Sequence, residues 1–365
     1  MRRLAAAIAL VALSGCARPS PHEEPEQLCP VTVSDGRYLM GTVLEISLCV
    51  SERERGEAQL SELFAEVARL ERMFSRHDET SDLSRLNRAA GSGPIPVAAP
   101  LADLTELSIG YTALTRGAFD VTIGPLVALW LEAERAGKLP SAEALATARS
   151  RVGAAGVGVD RSASTVELRH SGAMLDLGGI AKGWTLDRLA EKLRDAGISR
   201  ALLAFGQSSI CALGKPVGWD GWGILLGDAS GGFAGTAQLD DRSISVSGSL
   251  GQYAEIAGRR YGHVIDPRTG EPLTRARVAA ALAADGARAE ALSKALLILG
   301  ESDGIELLES LPDAEGILID ESGASWQTSG WTRETRFSPD WPGAAASASP
   351  TSRADLSAAR VRARR

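Results

Sequence analysis

The stretch Leu175-Asp176-Leu177-Gly178-Gly179-Ile180-Ala181-Lys182-Gly183 constrains this chain most. Residues 174–177 read as a short strand ending beside an acid, and from about residue 180 to 196 the apolar positions recur at helical spacing. Two glycines between them allow a strand to pass into a helix with close backbone approach. A junction of that kind belongs to a fold that interleaves strands and helices. It also turns helix N–H groups and the positive end of a helix toward whatever lies beyond, with Lys182 adding a charge. Two readings stay open: a nucleotide or anion site, and a plain tight turn. The spacing of a P-loop, Gly-x4-Gly-Lys-Ser/Thr, is absent, as is the dinucleotide fingerprint. Lysine is scarce here, five against 34 arginines, so one in this turn stands out.

Elsewhere the pattern predicts a strand over 37–50 with Met40-Gly41-Thr42 inside it, then an amphipathic helix over 52–74. Helices follow at 81–87, 101–115 and 141–151, with Ser81 and Ser141 in capping positions. The apolar run 119–130 is broken by Gly124-Pro125. Short strands are predicted at 165–168, 201–205, 223–226, 236–239, 243–246, 263–265 and 316–319, and an apolar helix at 289–299. Strands and helices alternate without a strict period, which predicts an α/β chain of mixed α+β character with mixed sheets.

The first 15 residues read as a targeting segment: Arg2 and Arg3, an apolar run of about ten residues, then Leu13-Ser14-Gly15-Cys16. The run is half of what a bilayer span needs. Its ending looks like a bacterial lipobox with Cys16 as the lipidated residue; an ordinary secretory signal is the alternative. Residues 16–30 then form a Pro/Glu-rich tether, 31–340 the folded domain, and 341–365 a disordered basic tail. The expected location is a bacterial membrane, by lipid anchor, facing the periplasm or the exterior. Setting both basic ends aside leaves a body still more acidic than the chain's net −7. That argues against nucleic acid as a partner. Cys29 and Cys49 flank strand-like runs joined near Asp35-Gly36, where they are placed to pair across a hairpin. Four histidines and no Cys-x-x-Cys make a zinc site improbable.

Two more stretches carry chemistry. In Tyr261-Gly262-His263-Val264-Ile265-Asp266-Pro267-Arg268-Thr269-Gly270, an imidazole and a carboxylate near a strand end suit acid–base work or phosphate contact, and a turn capped by Asp266 and Thr269 explains the pattern nearly as well. Gly117-Ala118-Phe119-Asp120 offers an aromatic face and an acid, although core packing is the default for Phe119. The absence of Gly-x-Ser-x-Gly removes the hydrolase elbow.

These stretches, with Met40-Gly41-Thr42, residues 81–87 and residues 289–300, resemble in order and separation the ApbE family, the FAD:protein FMN transferases, from about Met40 to Gly300. The resemblance implies a two-lobed mixed α/β fold with FAD in a cleft between lobes. Met40, His77, Ala118, Phe119, Asp120, Asp176 and Lys182 match positions around the flavin nucleotide, with His77 standing where tyrosine is usual. His263 matches a histidine near the pyrophosphate and is the expected catalytic residue. The implied reaction moves FMN from FAD to an acceptor threonine of a membrane redox subunit, with Mg²⁺ between the phosphates and AMP released. Glu290 and the backbone at Gly179 match the metal ligands. Two departures stand out. The family's Ala-Asp-Ala-Leu-x-Thr is Ala289-Glu290-Ala291-Leu292-Ser293-Lys294, and a Gly-Gly-Asp-Ile turn is Gln207-Ser208-Ser209-Ile210. Either the metal is lost, or Lys294 pairs with the Glu290 carboxylate and faces the phosphates. The alternative function is a FAD-binding lipoprotein that transfers no flavin or hydrolyses FAD weakly.

Overall fold

The computed structural model describes residues 29–229 and 232–331. The signal segment, Cys16, nearly all of the tether and the basic tail lie outside the described residues. The helices are α1 (Arg53–Phe74), α2 (Asp82–Arg88), α3 (Ala99–Leu114), α4 (Gly124–Ala136), α5 (Ala142–Arg149), α6 (Ala181–Asp195) and α7 (Gly286–Glu309). The strands of the first half are β1 (Val31–Leu39), β2 (Thr42–Val50), β3 (Ile95–Pro96), β4 (Val157–Asp160), β5 (Thr165–Leu168), β6 (Ala201–Phe205) and β7 (Ser209–Leu213). They continue as β8 (Trp222–Gly227), β9 (Phe233–Leu239), β10 (Ser243–Gly248), β11 (Tyr253–Ile256), β12 (Arg259–Gly262), β13 (Arg277–Ala283), β14 (Glu315–Asp320) and β15 (Ser325–Gln327).

One sheet runs β1-β2-β6-β7-β10-β13-β14-β15, and β3-β5-β4 form a smaller second sheet. The α+β expectation holds, but every ladder among the described residues is antiparallel where mixed sheets were expected. Hairpins account for this, since β1–β2, β6–β7 and β14–β15 join neighbours through tight turns.

Period-two alternation sorts the large sheet into two covered faces. Leu203, Phe205, Cys211 and Leu213 pack with Leu63, Phe64 and Val67 of α1 and Leu186 and Leu189 of α6. Ala279 and Ala281 of β13 lie on α7 with Leu292 and Leu296. The alternate residues, Leu202, Ala204, Ile210, Ala212, Ala280 and Leu282, pack beneath the β8–β9 hairpin. The small sheet, with α2 and α3, joins the body through a core that includes Leu70, Leu86, Val166, Trp184, Ala287 and Ala291. The apolar positions of α1 that recur at spacings of three and four, Leu60, Leu63, Phe64, Val67, Leu70 and Phe74, are all buried.

Several local expectations are corrected. The predicted strand 37–50 is instead the end of β1, a turn and all of β2, because Met40, at φ 49, and Gly41, at φ 80, reverse the chain. Asp35 and Gly36 are therefore mid-strand, paired with Ile46 and Glu45. Cys29 and Cys49 are disulfide-bonded all the same. Gly124-Pro125, expected only to break the apolar run, begins α4, as suits a proline with no N–H to give. Residues 174–177 form no ladder: the Asn87 side chain takes both backbone groups of Leu175, and Asp176 N–H donates to Val121. Residues 263–265 likewise make only a bridge, Ile265 to Pro272, in a loop closed by Gly270 N–H on the Asp266 carbonyl.

Candidate functional site

Helices α6 and α7 meet at their first turns, backbone on backbone. A Cβ on Gly183 would lie 2.2 Å from the Gly286 carbonyl oxygen, and one on Gly286 would lie 2.6 Å from that of Gly183. Only glycine allows this approach. Asp187, one turn along α6, accepts from Gly286 N–H at 2.5 Å and Ala287 N–H at 2.9 Å, so its carboxylate caps α7. Burial pushes the Asp187 carboxyl up to about 7 despite those bonds.

Beside Asp187, that junction brings together a second carboxylate and two ammonium groups. Glu290, on α7, is 1% exposed. Its Oε1 accepts from the Ser209 hydroxyl and sits 3.6 Å from Lys182 Nζ of α6. Its Oε2 has no hydrogen-bond partner among the described residues. Lys294, one turn further, donates to the Glu290 backbone carbonyl at 3.2 Å. The ion pair to the carboxylate is therefore made by Lys182, not by Lys294 as the helical spacing suggested. The Lys294 stem runs over Gly179, where a Cβ would meet its Cδ and Cε at 3.3 Å. Burial, set against the pull of Glu290 and reinforced by the charge on Lys182, pushes the Lys294 ammonium down to about 8.

Phe119 closes one side: its ring edge would lie 3.4 Å from a Cβ on Gly179. Thr115 Oγ1 holds its backbone N–H at 3.0 Å. Ala118 is fully buried in the core under α7. Asp120 is spent locally, accepting from Thr122 N–H at 2.8 Å and its hydroxyl at 2.6 Å, while burial raises its pKa. Asp176 takes Gly178 N–H at 2.8 Å and pairs with Arg76 at 2.9 Å, so it shapes the glycine turn. Met40 packs beside α6, its sulfur 3.7 Å from the Thr185 hydroxyl. His77 is exposed, its ring without a hydrogen bond among the described residues.

His263 is exposed to solvent at its edge but closely surrounded. Its Nδ1 lies 3.1 Å from the Gln252 carbonyl. A carbonyl only accepts, so Nδ1 carries the hydrogen and Nε2 keeps the lone pair. Crowding by protein pushes its pKa below the ordinary value, and the charges of Lys294 and Lys182 push the same way. Both effects favour the neutral ring, whose free Nε2 is able to take a proton.

Mg²⁺, expected at Gly179 and Glu290, does not fit these residues. It asks for about six oxygen ligands in near-octahedral array. The single carboxylate has one oxygen committed to Ser209 and Lys182, and the cationic Lys294 side chain lies across Gly179, the expected backbone ligand. Among the described residues no group of three or more His, Cys, Asp or Glu is placed to hold a metal. Sequence reasoning named Ser209 only as part of a changed turn. Alternation from Cys211 and Leu213 was the signal that turns it toward α7.

The family model for the ApbE family matches residues 40–318. The chain belongs to the ApbE family. Among curated relatives of this ApbE chain, a protein named FAD:protein FMN transferase from Klebsiella pneumoniae is 31% identical over 304 residues, covering 80% of this chain and 85% of the relative. One of the same name from Escherichia coli K12 is 28% identical, covering 89% and 93%. The ApbE protein of Thermotoga maritima superposes with a TM-score of 0.75 at 25% identity, covering 84% of this chain and all of that one. The flavin transferase ApbE from Vibrio cholerae superposes at 0.72 with 24% identity, over 83% and 99%, and shows the same fold.

Proposed function

We propose that this chain is a transferase that takes FAD as substrate and moves its FMN half to a threonine of an acceptor protein. The observation that carries the reading is the ApbE-family match over residues 40–318, with relatives named FAD:protein FMN transferase aligning along most of both chains. The site supports it. Lys182, Lys294 and the start of α6 offer positive charge to a pyrophosphate, and Phe119 lies beside them. In the reaction the threonine oxygen attacks the FMN phosphorus, the bond from that phosphorus to the bridging oxygen breaks, and AMP leaves with that oxygen. His263 Nε2 takes the threonine proton, being neutral and unencumbered. The acceptor is a membrane-associated redox subunit.

The N-terminal reading belongs to the same proposal: Cys16 carries a lipid and anchors the domain to a bacterial membrane on the periplasmic or outer side. The Cys29–Cys49 disulfide supports an oxidising compartment. Among the described residues no helix is long and apolar enough to cross a membrane. Replacing Cys16→Ser should release the protein from the membrane fraction, and mass spectrometry of the wild type should find acyl chains on Cys16.

The transfer is tested by incubating the purified protein with FAD and a threonine-containing acceptor. The acceptor should gain the mass of FMN less water while AMP appears in equal amount. Unmodified acceptor with free FMN accumulating would replace transfer with hydrolysis. FAD bound but unchanged would leave the second reading, a nucleotide-holding protein, which the metal-poor site favours.

A further inference from the structure

We infer that Lys182 and Lys294 act together as a built-in replacement for a divalent cation, so that this site holds a nucleotide pyrophosphate without metal. The inference rests on the reading of FAD as ligand and goes beyond it. Around the buried Glu290 carboxylate stand two ammonium groups, Lys182 and Lys294, while the other carboxyl of the junction, Asp187, is turned to the first N–H groups of α7. A cation-binding site needs the opposite balance. Glu290 is best understood as a positioning residue. It is anchored by the Ser209 hydroxyl, and its Oε1 sits 3.6 Å from Lys182 Nζ. Its own carbonyl takes one hydrogen of Lys294, leaving two ammonium hydrogens of that residue for a ligand.

The location is equally constrained. Lys294 lies across Gly179, so its head rests where the glycine turn enters α6, and the Phe119 ring borders the same glycine. Gly178 N–H is already taken by Asp176, so the turn itself has one fewer donor for an anion. The lysines supply what the turn does not. The spacing of the two helices that carry them is set by the Gly183–Gly286 backbone contact. A pyrophosphate joining two nucleosides carries one negative charge on each phosphorus, and the two ammonium groups offer it donors from neighbouring helices, with Lys182 shared between the ligand and Glu290. A third cation would meet repulsion from both lysines.

The test is FAD binding to the purified protein, followed by quenching of flavin fluorescence in EDTA and then in excess MgCl₂. The dissociation constant should agree in the two buffers within about twofold. Lys294→Met should weaken binding roughly tenfold or more, as expected on removing a charge-assisted hydrogen bond, while Lys294→Arg keeps it. Thermal unfolding of each variant verifies that the fold is retained. Glu290→Asp with Lys294→Thr should bind FAD at least tenfold tighter in MgCl₂ than in EDTA. Wild-type binding that collapses in EDTA would overturn the inference and leave FAD as ligand intact. No FAD binding in either buffer would overturn both.

Discussion

Gly183→Ala tests whether the helix junction, and not the individual lysines, sets the geometry of the site. The new methyl would lie 2.2 Å from the Gly286 carbonyl oxygen, 2.4 Å from its carbon and 2.9 Å from Ala287 N. These are backbone atoms and cannot swing aside. Ordinary contact begins at 3.4 Å, so α6 and α7 must part by roughly 1 Å. The Asp187 bonds to Gly286 and Ala287 cross the same gap and weaken with it. Overpacking and two stretched hydrogen bonds together cost about 2–4 kcal/mol. In a domain of this size that lowers Tm by roughly 5 °C or more. The same displacement separates Lys182 from Glu290 and moves Lys294, and a misplacement of about 1 Å costs on the order of a hundredfold in rate. Circular dichroism melting and FMN transfer are the assays. Gly110→Ala is the control, since that exposed helical glycine has nothing within 4 Å of the new methyl and should be neutral or slightly stabilising. Wild-type Tm and rate in Gly183→Ala would refute the close-contact argument.

The other expectations follow from single features. Lys294 loses its proton as pH rises through about 8, so FAD affinity should fall between pH 7 and 9, and Lys294→Arg should flatten that profile in the same titration. His263→Ala should slow transfer at least tenfold while FAD affinity stays within about threefold, measured as kcat against Kd. Opening the Cys29–Cys49 bridge, 20 residues apart, should cost about 3 kcal/mol in urea unfolding, with dithiothreitol reproducing the loss in the wild type.

Much of the secondary structure was legible because burial leaves a period. Helix α1 shows it through Leu60, Leu63, Phe64, Val67, Leu70 and Phe74, and β6 through its apolar run between polar neighbours. Strand β13 left no such trace. Its Arg-Val-Ala-Ala-Ala-Leu-Ala is covered on both faces, and alanine does not distinguish strand from helix. Residues 174–177 and 263–265 have strand composition without a partner strand, which is a tertiary fact. At the site, the one-turn spacing of Glu290 and Lys294 was readable. Which lysine reaches the carboxylate was not, because that follows from the approach of α6 to α7 through two glycines distant in sequence.

The Cys29–Cys49 bridge has a mechanical consequence. Among the described residues strand β1 is at the edge of the large sheet, bonded only to β2, and any tension applied to the chain ahead of Cys29 would peel such an edge one hydrogen bond at a time. The covalent link diverts that load. It passes from Cys29 directly into Cys49, near the end of β2, whose N–H is tied to the Arg200 carbonyl at 3.0 Å. Strand β2 is bonded along both edges, to β1 and β6, so a pull from upstream is met in shear by two ladders at once. A domain stapled in this way can be tugged by its leading end without its first strand coming off.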